Sequence, residues 1–149
     1  MPSDPRLTEA EQRALRCVAG MMIPASAAYR VPGADDELIF ADIVRSAGRD
    51  TAAVARALAG LAARGGGNVA DLDPLARDAA VEGWRAAAGA DFMLLQRLVL
   101  QCYYRDDRVM ISLGMEARPP FPKGYEVEQG DWSLLDPVRA MPKLWRDAP

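Results

Sequence analysis

The stretch DFMLLQRLVLQCY, residues 91–103, decides the fold. Its apolar side chains recur at the three- and four-residue spacing of one helical face, at Phe92, Leu95, Leu98, Val99, Cys102 and Tyr103. Leu94 and Leu100 widen this apolar stripe beyond what a surface helix needs. With Asp91 as its N-cap, the pattern predicts a helix at the centre of an all-α fold.

Four further helices are predicted before this central helix, because each apolar pattern follows a capping residue. The first runs from Thr8 to a point before Pro24, and the second from Asp35 or Asp36 to Gly48. The third runs from Asp50 to Arg64 and is terminated by Gly65, Gly66 and Gly67. The fourth has Asp73 as its N-cap and Pro74 at its first position, and it runs to Ala88. A short sixth helix from Asp107 to Leu113 would end at Gly114. We therefore expect a compact all-α bundle of about five to six helices over residues 1–114.

Residues 115–149 combine prolines, which prevent long regular elements, with large apolar side chains. A disordered tail is depleted in aromatic residues, so this composition predicts an extended arm that packs on the helical domain, on a partner, or on both. The residues that we expect at a partner interface are Phe121, Tyr125, Trp132, Leu135 and Trp145, with Arg118 and Arg139 as possible carboxylate ligands.

The chain contains no histidine, which excludes Ser-His-Asp and Cys-His catalysis and the usual zinc and haem ligand sets. The run Gly65–Gly67 follows a helix and lacks the strand, turn and helix context of a dinucleotide-binding fingerprint. Cys17 and Cys102 stand far apart inside apolar patterns, as buried free thiols do. The sequence therefore predicts no catalytic residue, no metal ligand and no cofactor-binding residue in this chain.

Two groups of polar residues leave an alternative open. Carboxylates cluster at helix starts, where capping and the helix dipole explain them better than a metal does: Asp35, Asp36 and Glu37; Asp71 and Asp73; Asp106 and Asp107. The pair Tyr103 and Tyr104 ends an apolar stripe and is better explained by core packing with a hydrogen-bonded hydroxyl than by proton donation.

The net charge of −3 offers no long-range attraction to nucleic acid or to anionic lipid. No apolar run reaches the length of a membrane span, and residues 1–11 are polar where a signal peptide is basic and then apolar. We therefore expect a cytoplasmic chain with no nucleic-acid partner and no direct membrane insertion. A periplasmic location would require that an export signal had been removed.

Two segments resemble the gluconate 2-dehydrogenase subunit 3 family, the small subunits of FAD-dependent dehydrogenases of the glucose-methanol-choline type. The first is Leu7–Ala34, LTEAEQRALRCVAGMMIPASAAYRVPGA, whose Leu-Thr opening, apolar helix, Ile-Pro and Gly-Ala look like the N-terminal signature of the family. The second is Tyr103–Tyr125, YYRDDRVMISLGMEARPPFPKGY, which is similar to the family pattern of tyrosine, short helix, Leu-Gly and Gly-Tyr.

This resemblance implies a hetero-oligomer in which a large catalytic subunit binds FAD and oxidises a sugar, a glycoside or another alcohol. The present chain would then be a non-catalytic accessory subunit that supports folding, stability, assembly or export of that flavoprotein. Many members of the family begin with a twin-arginine export signal, which this sequence lacks.

Two other functions compete with this interpretation. A stand-alone helical enzyme or small-molecule-binding protein would use Tyr103, Tyr104, Asp106 and Asp107 in one pocket, although the sequence offers no matched acid and base. A helix-turn-helix regulator would need a basic recognition helix, which the acidic balance of the chain disfavours.

Overall fold

The computed structural model describes residues 6–117, 124 and 128–146. The chain divides into two compact units, residues 1–118 and residues 119–149. The described part of the first unit forms six α-helices: α1 (Glu9–Met22), α2 (Glu37–Ala47), α3 (Thr51–Gly65), α4 (Pro74–Ala88), α5 (Ala90–Tyr103) and α6 (Asp107–Ser112). The second unit contains a 3-10 helix (Trp132–Leu135) followed by α7 (Asp136–Arg139). The predicted all-α fold is confirmed.

The capping signals place most helix starts correctly. At α1, the Thr8 hydroxyl accepts from the Glu11 N–H (3.3 Å) while the Glu11 carboxylate accepts from the Thr8 N–H (2.7 Å), as in a capping box. At α4, Asp73 accepts a hydrogen bond from the Ala76 N–H at 3.0 Å, and Pro74 occupies the first helical position. These local hydrogen bonds satisfy backbone donors that the helix itself leaves unpaired.

The predicted start of α5 is wrong. Gly89, and not Asp91, is the N-cap residue, and Asp91 lies inside the first turn. Because α4 ends at Ala88 and α5 begins at Ala90, a single residue must reverse the chain, and Gly89 does so with a φ of 46° that is strained for residues with a Cβ. Asp91 still favours the helix electrostatically, since a carboxylate in the first turn interacts well with the helix dipole.

The two ends of α3 also differ from the prediction. Asp50 occupies the N-cap position, but its side chain makes no capping hydrogen bond and instead pairs with Arg97 at 3.4 Å. The helix continues one residue further than expected, through Gly65, and Gly66 ends it in the left-handed conformation with a φ of 72°. Glycine is the residue that adopts this helix-ending conformation at least cost.

The core lies between α5, the predicted central helix, and α3. Helix α5 packs against α2, α3 and α4, while α3 shares the central position through its own contacts with α1 and α4. The predicted stripe on α5 is buried from Leu95 onward, whereas Phe92 is half-buried. The largest fully buried side chains come from α1, α2, α3, α5, α6 and the 3-10 turn before α4: Leu15, Val18, Ile39, Ile43, Val54, Leu61, Val69, Leu95, Val99, Cys102 and Val109.

Candidate functional site

The C-terminal segment, defined as residues 128–146, exposes an unusual amount of apolar surface. Seven large apolar side chains in it are between 41% and 75% exposed: Trp132, Leu134, Leu135, Val138, Met141, Leu144 and Trp145. Single exposed apolar residues are ordinary on a protein surface, whereas seven within the fourteen residues 132–145 are typical of an interaction site. This segment is therefore the first candidate for a functional surface.

Short-range hydrogen bonds fold the C-terminal segment locally. Asp131 caps the 3-10 helix by accepting from the Ser133 N–H (3.0 Å) and from its hydroxyl (2.6 Å), and these bonds lower the pKa of the Asp131 carboxyl. The Trp132 indole N–H donates to the Gln129 side-chain oxygen at 3.2 Å. Because the turn is formed in advance, less conformational entropy is lost when its aromatic side chain docks.

The structure places four of the seven predicted interface residues in this exposed segment: Trp132, Leu135, Arg139 and Trp145. The other three, Arg118, Phe121 and Tyr125, lie outside the described residues. Arg139 is bound within its own helix, because its guanidinium contacts the Asp136 carboxylate at 3.0 Å. An exposed pair of this kind is weak, so Arg139 can exchange Asp136 for a partner carboxylate at small cost.

The residues expected at the interface do not include four exposed apolar members of the segment: Leu134, Val138, Met141 and Leu144. Leu134 and Val138 stand four residues apart, in the 3-10 helix and in α7, whereas Met141 lies beyond the end of α7. That spacing was a usable signal, but Pro137 and Pro142 indicated an extended chain. Pro137 is tolerated because it occupies the first turn of α7, where its missing N–H has no intrahelical partner.

The tyrosine pair does not form a single site. Tyr103 is buried, and its hydroxyl donates to the Pro32 carbonyl oxygen at 3.2 Å, so the predicted core role is confirmed. Burial raises the pKa of Tyr103, which makes it a poorer proton donor at neutral pH. Tyr104 is exposed and meets the Tyr103 ring edge-on with centroids 5.2 Å apart, so the core prediction for Tyr104 is wrong.

Asp106 acts as the N-cap of α6 and belongs to an ion-pair group that joins distant parts of the helical unit. Its carboxylate accepts from the Arg108 backbone N–H (3.0 Å) and pairs with the Arg108 guanidinium (2.9 Å). The same guanidinium pairs with Asp36, the N-cap of α2, at 2.7 Å. Hydrogen bonds from Arg108 lower the pKa of both Asp36 and Asp106. These carboxylates therefore serve as caps and ion-pair partners, as expected for acids at helix starts.

Replacing Arg108 with glutamine is expected to lower the free energy of unfolding at neutral pH. It should also make that free energy fall less steeply as the pH is lowered into the acid range. A carboxyl whose pKa is lower in the folded than in the unfolded protein stabilises the fold at every pH above its unfolded pKa, which is near 4. That stabilisation is lost as the pH falls through the folded-state pKa. Arg108 is partly exposed, so each ion pair is worth about 1 kcal/mol or less. Urea unfolding of Arg108→Gln and of the parent should differ at pH 7 and converge near pH 2.

The matched control is Arg85→Gln, which removes an exposed arginine paired with Glu82 inside α4 alone. Arg85→Gln should lower the free energy of unfolding less than Arg108→Gln does, because the Arg85–Glu82 ion pair lies within one helix. A difference between Arg108→Gln and the parent that stays constant from pH 7 to pH 2 would show that Arg108 does not act through Asp36 and Asp106.

A cleft of about 730 Å³ opens between α2 and the α5–α6 region of the helical unit. Its lining residues are Leu38, Ile39, Asp42, Arg45, Ser46, Cys102, Arg105, Asp106, Asp107 and Arg108. Several charges within it are paired, since Asp42 contacts both Arg45 and Arg105, and Arg105 also bonds to the Ser46 hydroxyl. The tyrosines of the alternative hypothesis do not line this cleft, so the four residues proposed for a stand-alone enzyme are not gathered in it.

Both cysteines are free thiols. Cys102 is buried, as predicted, while Cys17 is only half-buried. Burial raises the pKa of each thiol, so the reactive thiolate form is disfavoured at neutral pH. Within residues 6–117, 124 and 128–146, no three histidine, cysteine, aspartate or glutamate side chains are grouped so that they could hold a metal ion.

No helix in the described part of the chain combines the length and the apolar character needed to cross a bilayer. Comparison of the chain with protein-family models, with curated proteins and with solved structures found no match. The resemblance to the small dehydrogenase subunits therefore depends on the two quoted segments alone.

Proposed function

We propose that this chain is a non-catalytic small subunit that binds a larger catalytic flavoprotein and supports its folding, stability or assembly. The observation that carries the proposal is the series of exposed apolar side chains in the C-terminal segment. Tryptophan dominates the energetics of protein interfaces, and this segment presents two tryptophans that are mostly exposed. A chain that remains alone gains nothing from this surface and risks aggregation because of it.

The absence of histidine supports a non-catalytic role. Acid–base and nucleophilic catalysis at neutral pH most often use an imidazole, and the sequence contains none. In the helical unit, Arg105 and Arg108 are bound to neighbouring carboxylates, and Tyr103 is held by a backbone carbonyl. These three side chains already have structural partners, which favours a supporting role over catalysis by any of them.

The identity of the partner is proposed from the resemblance. Small subunits of this type accompany an FAD-binding subunit that oxidises sugars, glycosides or other alcohols, so we propose a partner of that class. FAD would belong to the partner, and this chain would bind none of it directly. The two segments that carry the resemblance include α1, Tyr103 and α6, which are well-formed parts of the helical unit.

Co-expression tests the proposal. The chain, carrying an affinity tag, is produced with the protein encoded in the neighbouring reading frame, which the proposal requires to be a large flavoprotein. The purified material is examined by absorbance and by mass. A yellow complex of fixed stoichiometry is expected, and the chain produced alone should aggregate more readily. Co-expression with an unrelated FAD-dependent oxidoreductase is the control. A well-behaved monomer that retains no flavoprotein, or a neighbouring frame that encodes none, would contradict the proposal.

A further inference from the structure

A second cleft in the helical unit gathers positive charge. We call it the arginine cleft; it has a volume of about 420 Å³ and lies where α1 meets the 3-10 turn Val69–Asp71 and α4. Its lining residues are Arg13, Arg16, Cys17, Gly20, Met21, Asp35, Ala70 and Arg77. Three of these eight residues are arginines and one is an aspartate, although the whole chain has a net charge of −3. Arg13 and Arg16 come from α1 and Arg77 from α4, so the fold brings together charges that are distant in sequence.

Backbone carbonyl groups hold two of these arginines in place. The Arg16 Nε–H donates to the Asp35 carbonyl oxygen at 2.9 Å. The Arg77 guanidinium donates to the carbonyl oxygens of Val69 at 3.3 Å and of Leu72 at 3.0 Å. Among the described residues neither arginine forms an ion pair with a carboxylate, so these bonds orient both guanidinium groups while their charge is retained. Because a guanidinium has five N–H donors, each arginine keeps donors for a ligand.

The carboxylates near the arginine cleft leave much of this positive charge uncompensated. Arg13 pairs with Asp71, but the two side chains are 53% and 58% exposed, so the pair is weak and opens at small cost. The Asp35 carboxylate lies against Gly20, where an added Cβ would meet it at 3.1 Å, and it pairs with no arginine in the described part of the chain. Positive charges gathered in one cleft repel one another, and a bound anion relieves that repulsion.

We propose that the arginine cleft binds the oxyanion group of a small molecule, either a phosphate or a carboxylate. Guanidinium groups recognise both through parallel, charge-assisted hydrogen bonds. Arg16 and Arg77 bind the oxyanion directly, and Arg13 exchanges Asp71 for it. The cleft has a volume usual for small-molecule sites, roughly 300–1,000 Å³, so it holds a molecule larger than the oxyanion alone. This site is independent of the flavoprotein partner.

The test titrates the full chain at constant ionic strength with inorganic phosphate in one arm and with succinate in the other, followed by calorimetry. We expect saturable binding in at least one arm, with a Kd on the order of 1 mM or below, and the arm that binds identifies the oxyanion. Arg16→Gln should raise that Kd by roughly tenfold or more, because hydrogen bonds from a charged donor are lost. The matched control is Arg85→Gln, which removes an exposed arginine outside the cleft and should bind like the parent.

Cys17 provides a second measurement, because its half-buried thiol lines the same cleft. Burial raises the pKa of this thiol, and the charge of Arg77 opposes that rise. A bound anion screens Arg77 and covers the thiol, so the alkylation of Cys17 by iodoacetamide, followed by mass spectrometry, should slow in the parent but not in Arg16→Gln. Alkylation of the buried Cys102 is the internal control and should not respond to the anion.

Three results would overturn the oxyanion site. The first is a Kd well above 1 mM for both phosphate and succinate. The second is an equal loss of binding in Arg16→Gln and Arg85→Gln, which would indicate unspecific attraction between charges. The third is equal slowing of Cys17 and Cys102 alkylation, which would mean that the anion acts on the whole fold. If Arg16→Gln lowers the urea midpoint, Arg13→Gln replaces it, since Arg13 is exposed and should weaken binding without unfolding the chain. Each of these results is independent of whether the chain binds a flavoprotein.

Discussion

Replacing Trp84 with alanine is expected to destabilise the helical unit by about 3–5 kcal/mol, the usual cost of removing a large buried aromatic side chain. Trp84 is only 3% exposed, and its ring meets Phe92 edge-on with centroids 5.7 Å apart. It lies on α4 and joins that helix to the start of α5. Because a domain of this size is stable by roughly 5–15 kcal/mol, the variant should unfold at much lower urea concentration or fail to fold.

Trp132→Ala supplies a matched control for Trp84→Ala, since it makes the same chemical change at a side chain that is 60% exposed. Surface substitutions usually change stability by less than about 0.5 kcal/mol, so its urea midpoint, followed by far-UV circular dichroism, should equal that of the parent. Equal midpoints for Trp84→Ala and Trp132→Ala would contradict the packing described for α4 and α5. If Trp84→Ala does not fold, Trp84→Phe should recover a cooperative transition at a lower midpoint than the parent.

The helices could be predicted because their signals are local. Thr8 with Glu11, and Asp73 with Pro74, act within one turn of the chain, and the structure places both as expected. The failure at Asp91 has the same physical origin, since an aspartate directly before an apolar helical run resembles an N-cap in any short window. Only the immediate succession of α4 and α5 makes Gly89 the residue that must turn the chain.

The contacts that join helices could not be predicted from sequence in the same way. Arg108 binds Asp36 across 72 positions of sequence, and Arg105 binds Asp42 across 63. Nothing in the local pattern distinguishes these arginines from solvated ones. The tyrosine pair shows the same limit, because helical periodicity marks both rings as apolar while only the packed structure separates buried Tyr103 from exposed Tyr104.

The apolar character of the C-terminal segment was visible in the sequence, but its local shape was not. The prolines predict an extended arm, whereas Pro137 lies in the first turn of α7, next to the turn that Asp131 caps. The exposure of Trp132 and Trp145 agrees with the expected partner interface without testing it. The choice of partner remains a proposal, since it depends on the two segments that resemble the dehydrogenase small subunits.

A chain that carries both Trp132→Ala and Trp145→Ala is expected to release the proposed flavoprotein partner while its helices stay folded. Both side chains belong to the C-terminal unit and are mostly exposed, so neither is part of the buried core that holds the helices together. Interface tryptophans that act as hot spots cost about 2 kcal/mol or more each, so the Kd should rise by at least roughly two to three orders of magnitude. Titration against the purified flavoprotein measures the loss.

The stability of the double variant decides how its binding is interpreted. An unchanged urea midpoint with weakened binding assigns the loss to the interface, because the same two substitutions have then left the fold intact. Leu75→Ala is the binding control, since Leu75 is 81% exposed on α4 and lies outside the C-terminal segment. Binding that is unchanged by the double tryptophan replacement would exclude the C-terminal segment as the main contact, even if the flavoprotein partner is correct.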